Sequence, residues 1–146
     1  MIRRTSILSL VAALCLIPAA ALAHSALNRY WGEVPVDMLL SGDVLVVKTL
    51  TVPEGITLTI EAGTVVRFEG TKDGGNRILV KGRLVAVGLP GKPIRFIPKG
   101  ADSGPWYGVE FQGKGEGRIE RCVFEGASKG VVDPGKRAKV KGLTFK

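Results

Sequence analysis

Apolar and polar residues alternate in short runs along most of the chain. In the stretch LTIEAGTVVRF, from Leu58 to Phe68, one alternating run stops at Ala62-Gly63 and a second run begins directly after it. A period of two is typical of β-strands, because successive side chains on a strand point to opposite faces of the sheet. Amphipathic patterns of helical length are absent after residue 23, and β-branched residues cluster in short runs. We therefore predict an all-β fold.

The break at Glu61-Ala62-Gly63 is predicted to be a corner and not a hairpin turn. A two-residue hairpin favours Asn-Gly, Asp-Gly or a glycine pair, since its central residues need positive φ angles. Glu-Ala-Gly fits that requirement poorly. A corner between two strands that do not pair with each other needs only an oblique change of direction, which this sequence allows.

The alternating runs recur at nearly regular intervals. Aligning LTIEAGTVVRF with ILVKGRLVAV places Leu58 over Ile78, with a period of about 20 residues. Aligning RIERCVFEG with KVKGLTFK places Ile119 over Val140, and a looser match places Gly108 over Gly130. Such periods, with glycine at the corners, are typical of β-solenoids, in which each coil lays its strands parallel to those of the next coil.

This alignment makes two further predictions. Outward-facing charges should meet on adjacent coils, Glu61 with Lys81 and Glu120 with Lys141, and help to keep the strands in register. The inward-facing residues should form one apolar column, which includes Ile60, Val80, Val85 or Val87, and Phe96.

Three short segments carry a resemblance to a known family. Gly82 to Gly88 has the order G-x-L-x-A-x-G, Pro93 to Phe96 has P-I-x-F, and Trp106 to Phe111 has W-x-G-x-x-F. With the strands around them, these segments resemble the right-handed parallel β-helix repeat proteins of bacterial envelopes and secretions, the pectin-lyase-like superfamily. The resemblance implies a right-handed parallel β-helix of about five coils over residues 41–146, with residues 24–40 as an N-terminal segment or cap. It selects no function, because this superfamily includes polysaccharide lyases, hydrolases, epimerases, adhesins and scaffolds.

Residues 1–23 are predicted to be a cleaved signal peptide. Arg3 and Arg4 precede an apolar run, and Ala21-Leu22-Ala23 provides a small-residue cleavage site. The run is short for a bilayer span and is interrupted by Pro18. We therefore expect an exported protein, periplasmic or extracellular, with no transmembrane segment after cleavage of the signal.

The chain is basic, and this limits the partners to be considered. Its formal net charge is +8 at pH 7, and the excess is greatest in GKRAKVKG, residues 135–142. Because an exported protein seldom meets nucleic acid, we expect no nucleic acid partner; an anionic polysaccharide or envelope glycan is the polyanion it would meet. The alternative is a solvated basic face without a ligand.

Five residues form the candidate ligand-binding set: Trp106, Tyr107, Arg95, Arg118 and Arg121. Flat aromatic rings stack on sugar rings, and arginine forks bind carboxylates or sulfates in a bidentate manner. The alternative for Trp106 is a structural one, in which its ring covers the edge of a coil.

Catalytic, metal and cofactor sites are not predicted. His24 is the one histidine and would become the amino terminus after cleavage, so its position argues against a Ser-His-Asp set, and a two-histidine copper site cannot be built from this chain alone. Cys122 is the one cysteine after residue 23 and is predicted to be a small buried apolar side chain. The acids that could act together are scattered, and would converge only if adjacent coils brought them together: Glu110, Glu120, Glu125 and Asp133.

The sequence favours a non-catalytic exported module that acts as a scaffold or binds an envelope carbohydrate. Two alternatives stay open. One is a small polysaccharide-active enzyme of the lyase or hydrolase type, and the other is a fragment of a longer adhesin-like solenoid. Leu143 and Phe145 in the final coil also lead us to expect weak self-association through that coil.

Overall fold

The computed structural model describes residues 27–146; the expected signal peptide, residues 1–23, and His24 lie outside the described residues. Every helix or strand position in this part of the chain is occupied by a β-strand, and no helix is assigned there. The prediction of an all-β fold is therefore confirmed. The strands are β1 Asn28–Glu33, β2 Met38–Leu40, β3 Asp43–Val52, β4 Thr57–Ile60, β5 Val65–Phe68, β6 Arg77–Val80, β7 Arg83–Val87, β8 Ile94–Pro98, β9 Trp106–Phe111, β10 Glu116–Glu120, β11 Cys122–Phe124, β12 Ala127–Val132, β13 Ala138–Lys141 and β14 Thr144–Phe145.

The strands form three rows in which all neighbours run parallel. Row 1 is the five-stranded sheet, in the order β2, β4, β7, β10, β13. The other sheet is divided by the long strand β3, whose first residues pair with β5 and whose last residues pair with β6. Row 2 is β3, β5, β8, β11, β14, and row 3 is β3, β6, β9, β12.

The chain visits the rows in the same order each time, from row 1 to row 2 to row 3 and back. Each visit adds one strand beside the strand of the previous visit. This gives a solenoid-like arrangement of parallel strands, as the repeat predicted. β1 lies beside β3 at an edge of this arrangement, and β2 is the first strand of row 1. Within residues 27–146 no helix of the length and apolarity needed to cross a membrane is found.

The alternation along the strands separates a buried face from an outward face. In β4, β5 and β6 the second and fourth residues are buried and the first and third are partly exposed. The buried residues of all three rows form one apolar cluster. It contains Ile60, Val80 and Phe96, as predicted. On β7, however, Leu84 and Ala86 are buried, whereas the expected Val85 and Val87 face outward.

The corner at Glu61-Ala62-Gly63 is confirmed. It joins β4 in row 1 to β5 in row 2, so the two strands are not paired with each other. The amide of Thr64 donates a hydrogen bond to the carbonyl of Glu61 over 3.1 Å. Gly63 has a φ of +81°, a left-handed conformation that glycine adopts without a steric penalty.

The later part of the repeat alignment is confirmed. Ile119 pairs with Val140 and Gly108 with Gly130, as the sequence predicted. Glu120 also pairs with Lys141 in the backbone register.

The earlier part of the alignment is wrong, because it matched residues of row 1 with residues of another row. Leu58 pairs with Met38 and Leu84 in row 1, whereas Ile78 lies in row 3. The predicted contact between Glu61 and Lys81 is therefore wrong as well. The amide of Glu61 bonds to Leu40 of row 1 and that of Lys81 to Val52 of row 3, so the two residues follow strands of different rows.

Candidate functional site

The outward face of row 1 carries a regular array of charges on its last three strands. Arg83 of β7 pairs with Glu116 of β10. Two residues further along β10, Arg118 pairs with Lys139 of β13. Residues two apart point to the same face of a strand, and neighbouring strands lie about 4.8 Å apart. The backbone register therefore brings these four side chains to one patch on the outer surface.

A surface concavity lies over this patch. Its volume is about 240 Å³, and it is lined by Arg83, Glu116, Gly117, Arg118, Arg137 and Lys139. Arg137 comes from the turn before β13, where the carboxylate of Asp133 accepts a hydrogen bond from the amide of Ala138 over 2.8 Å. We call these six residues the basic cleft.

The basic cleft has more cations than its own acid can neutralise. Glu116 Oε1 lies 4.0 Å from Arg83 Nη1, with both side chains more than half exposed. Arg118 donates to Glu120 at the edge of the cleft, over 2.8 Å and 3.1 Å. These hydrogen bonds lower the pKa of Glu120. Within residues 27–146, Arg137 and Lys139 form no ion pair.

The charge of the whole molecule is also uneven. Residues 114–146 carry nine lysines and arginines against four acids, whereas residues 27–113 carry ten against nine. All residues of the basic cleft except Arg83 lie in the more basic segment, residues 114–146. The pKa of Lys114 is raised, chiefly by its hydrogen bond to Glu54. The positive charge of Arg137 is close enough to oppose this and lower the pKa of Lys114. An anion approaching the protein is therefore attracted most strongly to the end of the strand rows that bears the cleft.

Trp106 does not lie on the surface. Its side chain is fully buried, and its ring stacks on Phe68 with the centroids 3.8 Å apart. The indole N–H donates to the carbonyl of Glu125 over 2.8 Å. The ring therefore has no exposed face on which a sugar could stack in this structure. Trp106 is therefore a core residue that packs inside the apolar cluster, and not a ring that covers the edge of a coil.

Tyr107 points outward from row 3 but already has a partner. The guanidinium of Arg77 lies 4.0 Å from the centre of its ring. The same guanidinium bonds to Glu110 over 2.6 Å. Tyr107 is thus part of a local cluster with Arg77 and Glu110, on a different row from the basic cleft.

The three candidate arginines lie apart from one another. Arg95 on row 2 pairs with Glu125 over 2.8 Å. Arg121 lies between β10 and β11, in a left-handed backbone conformation with a φ of +49°. Arg118 lies in the basic cleft. The structure therefore does not bring the five candidate residues into one site.

The four acids considered for catalysis each have a separate partner. Glu110 forms an ion pair with Arg77, Glu120 with Arg118, and Glu125 with Arg95. The carboxylate of the remaining acid, Asp133, accepts a hydrogen bond from the amide of Ala138. In the part of the chain that is described, no group of three or more metal-ligating side chains is found. Cys122 is buried, as predicted, and desolvation raises its pKa to about 12, so it is not a reactive thiolate at neutral pH.

Sequence reasoning missed Arg83 and Glu116 as members of a site. Arg137 and Lys139 were noticed only as part of a basic segment. The signal that could have joined them is the strand register of row 1, because Arg83 lies 33 positions before Glu116 and is its direct neighbour. The sequence alignment matched the residues of β7 with a strand of another row, so it did not show that β7 and β10 are neighbours.

Comparison with known proteins finds no match: no protein-family model, curated protein or solved structure shows significant similarity to the chain.

Proposed function

We propose that the chain is a right-handed parallel β-helix of about five coils that binds an anionic glycan of the cell envelope through the basic cleft. In this proposal residues 1–23 are a signal peptide, the protein is exported, and it performs no catalysis. The observation that carries the proposal is the cleft itself. It gathers Arg83, Arg118, Arg137 and Lys139 around one lining acid, Glu116, with Glu120 bonded to Arg118 at its edge.

The geometry of parallel strands supports a polymeric ligand. Arg118 and Lys139 occupy the same position on adjacent strands, so their charges repeat along the row at the strand spacing of about 4.8 Å. A polymer with regularly spaced anionic groups can meet several of these cations at once. Each contact is exposed and individually weak, but simultaneous contacts add.

We do not extend the proposal to catalysis. Hydrolysis of a glycoside commonly requires two carboxyl groups on either side of the bond, about 5 to 10 Å apart. Glu110, Glu120 and Glu125 are each paired with a different arginine, on different rows or at their ends. The ion pairs of Glu110 and Glu125 join neighbouring strands of rows 3 and 2, and that of Glu120 lies within β10, which favours a structural role for these acids.

Affinity electrophoresis of the protein in gels containing an acidic polysaccharide tests the proposal. We expect retardation at low salt that disappears as ionic strength rises, because screening weakens exposed charge contacts. The double variant Arg137→Ala/Lys139→Ala should lose most of the retardation. Lys48→Ala/Lys72→Ala is the matched control, since it removes the same charge from exposed positions outside the cleft. Absence of retardation of the wild-type protein at low salt, or equal losses in both variants, would contradict the proposal.

A further inference from the structure

Glu116 is an acid in the middle of a surface that attracts anions. It lies outward on β10, directly beside Arg83 of β7. On the other side, Gly117 pairs with Ala138, so the residue before Ala138, Arg137, lies next to Glu116. All three side chains line the basic cleft.

The contact of Glu116 with Arg83 is loose. Its shortest N–O distance is 4.0 Å, and the glutamate side chain is 57% exposed. An exposed ion pair of this kind contributes little to stability. Glu120, on the same strand, differs: it accepts two hydrogen bonds from Arg118, and its side chain is only 15% exposed. Glu116 therefore keeps most of its capacity to accept hydrogen bonds from a ligand.

An ionised carboxylate only accepts hydrogen bonds. A ligand group beside Glu116 must therefore be a donor, such as a hydroxyl group, while an anionic group at the same place is repelled. The neighbouring Arg137 and Lys139 require the opposite, an anionic group. One ligand satisfies both requirements if it carries hydroxyl groups close to its charged groups, as acidic sugars do. Polymers of phosphate carry charge at every unit and no such hydroxyls.

From this arrangement we propose that Glu116 determines specificity, selecting polyanions that carry hydroxyl groups beside their charges over polymers composed of anionic groups alone. The inference rests on the proposed function, because it concerns the ligand of the same cleft. The simpler role for Glu116 is that of a counter-ion that reduces repulsion between Arg83 and Arg137. The two roles predict different ligand binding for a variant at position 116 that keeps a hydrogen-bond acceptor but loses the negative charge.

The test compares two probes, alginate and inorganic polyphosphate, at equal concentrations of charge. The wild-type protein should bind alginate more tightly. Glu116→Gln removes the repulsion and keeps a carbonyl acceptor, so polyphosphate binding should strengthen about tenfold while alginate binding changes little. Glu116→Ala removes both, so polyphosphate binding should strengthen while alginate binding weakens. Glu61→Gln is the control, because it makes the same charge change at an exposed corner outside the cleft.

The outcomes separate the two proposals. If the wild-type protein binds both polymers equally, or if Glu116→Gln and Glu116→Ala strengthen both by the same factor, Glu116 is a counter-ion only and this inference is overturned. The proposed function would stand in that case. If the wild-type protein binds neither polymer at low salt, the proposed function fails and the inference fails with it. Glu116 is exposed, so circular dichroism should show both variants folded like the wild type.

Discussion

Trp106 and Phe68 stack face to face inside the protein, with their ring centroids 3.8 Å apart and their planes within 6° of parallel. Phe68 belongs to β5 in row 2 and Trp106 to β9 in row 3, so the stack joins two rows across the interior. The one polar atom of the indole is also satisfied, because its N–H donates to Glu125. A large aromatic ring can therefore be buried here without an unpaired polar group.

Replacing Trp106 by alanine should be among the most destabilising single changes. The change leaves a large cavity and removes the stacking on Phe68, and we expect a loss of about 3 to 5 kcal/mol in the free energy of unfolding. Urea denaturation followed by circular dichroism measures it. Tyr107→Ala changes the next residue, which faces outward, and should cost much less. Equal losses for the two variants would mean that the inward and outward assignments on β9 are wrong.

Leu84 and Val85 provide the sharpest test of the strand register. Leu84 is fully buried, whereas Val85 faces outward on the same strand. Leu84→Asp would place an unpaired charge in the apolar interior and should prevent folding. Val85→Asp should fold, with a circular dichroism spectrum of the β type. If Leu84→Asp stayed folded while Val85→Asp did not, β7 would have the opposite face inward.

Much of the fold was predictable because it depends on local alternation. The period of two in LTIEAGTVVRF gave the strands β4 and β5 and the corner between them correctly. The neighbour of each strand was less predictable, because the coils differ in length. In row 1, Leu58 and its partner Leu84 are 26 positions apart, whereas Leu58 and its other partner Met38 are 20 apart. A fixed period of about 20 residues therefore matched β4 to a strand of another row.

The candidate site was less predictable than the fold. Tryptophan is a residue type expected to stack on sugar rings. Its burial, however, depends on which face of β9 it occupies, and in this strand Trp106 points inward and Tyr107 outward. The basic cleft depends on pairing between distant strands, and a sequence shows charges without showing which of them are neighbours. Only the segment around Arg137 and Lys139 was visible beforehand, because there the charges are close in sequence.

Stability should fall at alkaline pH through Cys122. Burial raises its pKa to about 12, from an ordinary value of 9.0, so the folded protein holds the thiol proton more strongly than the unfolded chain. The stabilisation is complete below pH 9.0 and is lost as pH rises towards 12, by roughly 1.4 kcal/mol per pH unit. Urea denaturation at several pH values in this range measures the slope. Cys122→Ala should have a shallower slope, and identical slopes would show that the thiol does not contribute.

Gly108 should not tolerate a side chain. A Cβ atom at this position would lie 2.1 Å from the carbonyl oxygen of Gly130, its neighbour in row 3. Gly108→Ala therefore forces the two strands apart and should cost several kcal/mol, more than the roughly 1 to 3 kcal/mol of backbone strain alone. Gly113→Ala is the control, because its φ is also positive but nothing lies within 4 Å of the added atom. Thermal denaturation of both variants gives the comparison.

We retain the expectation of weak self-association through β13 and β14. In the described residues each of these strands pairs on one side only, and Phe145 is 58% exposed. A second copy of the protein could cover this ring, although the many lysines nearby oppose close approach. Sedimentation velocity over a range of concentrations should show a weak dimer at high salt that Phe145→Ser abolishes. A monomer at every concentration and salt level would exclude this contact.

If the basic cleft binds a ligand as proposed, its position would link binding to local opening of the protein. In a stack of parallel strands each strand is held mainly by its two neighbours, so strands at an edge open more readily than those inside. Among the strands of residues 27–146, β13, which contributes Lys139, has one neighbour in row 1, whereas β7 and β10 have two. A ligand that spans all three strands would favour the closed form by its free energy of binding. Hydrogen exchange at the amides of β13 should therefore slow when the proposed ligand occupies the cleft, and this edge strand would then report what the surface has bound.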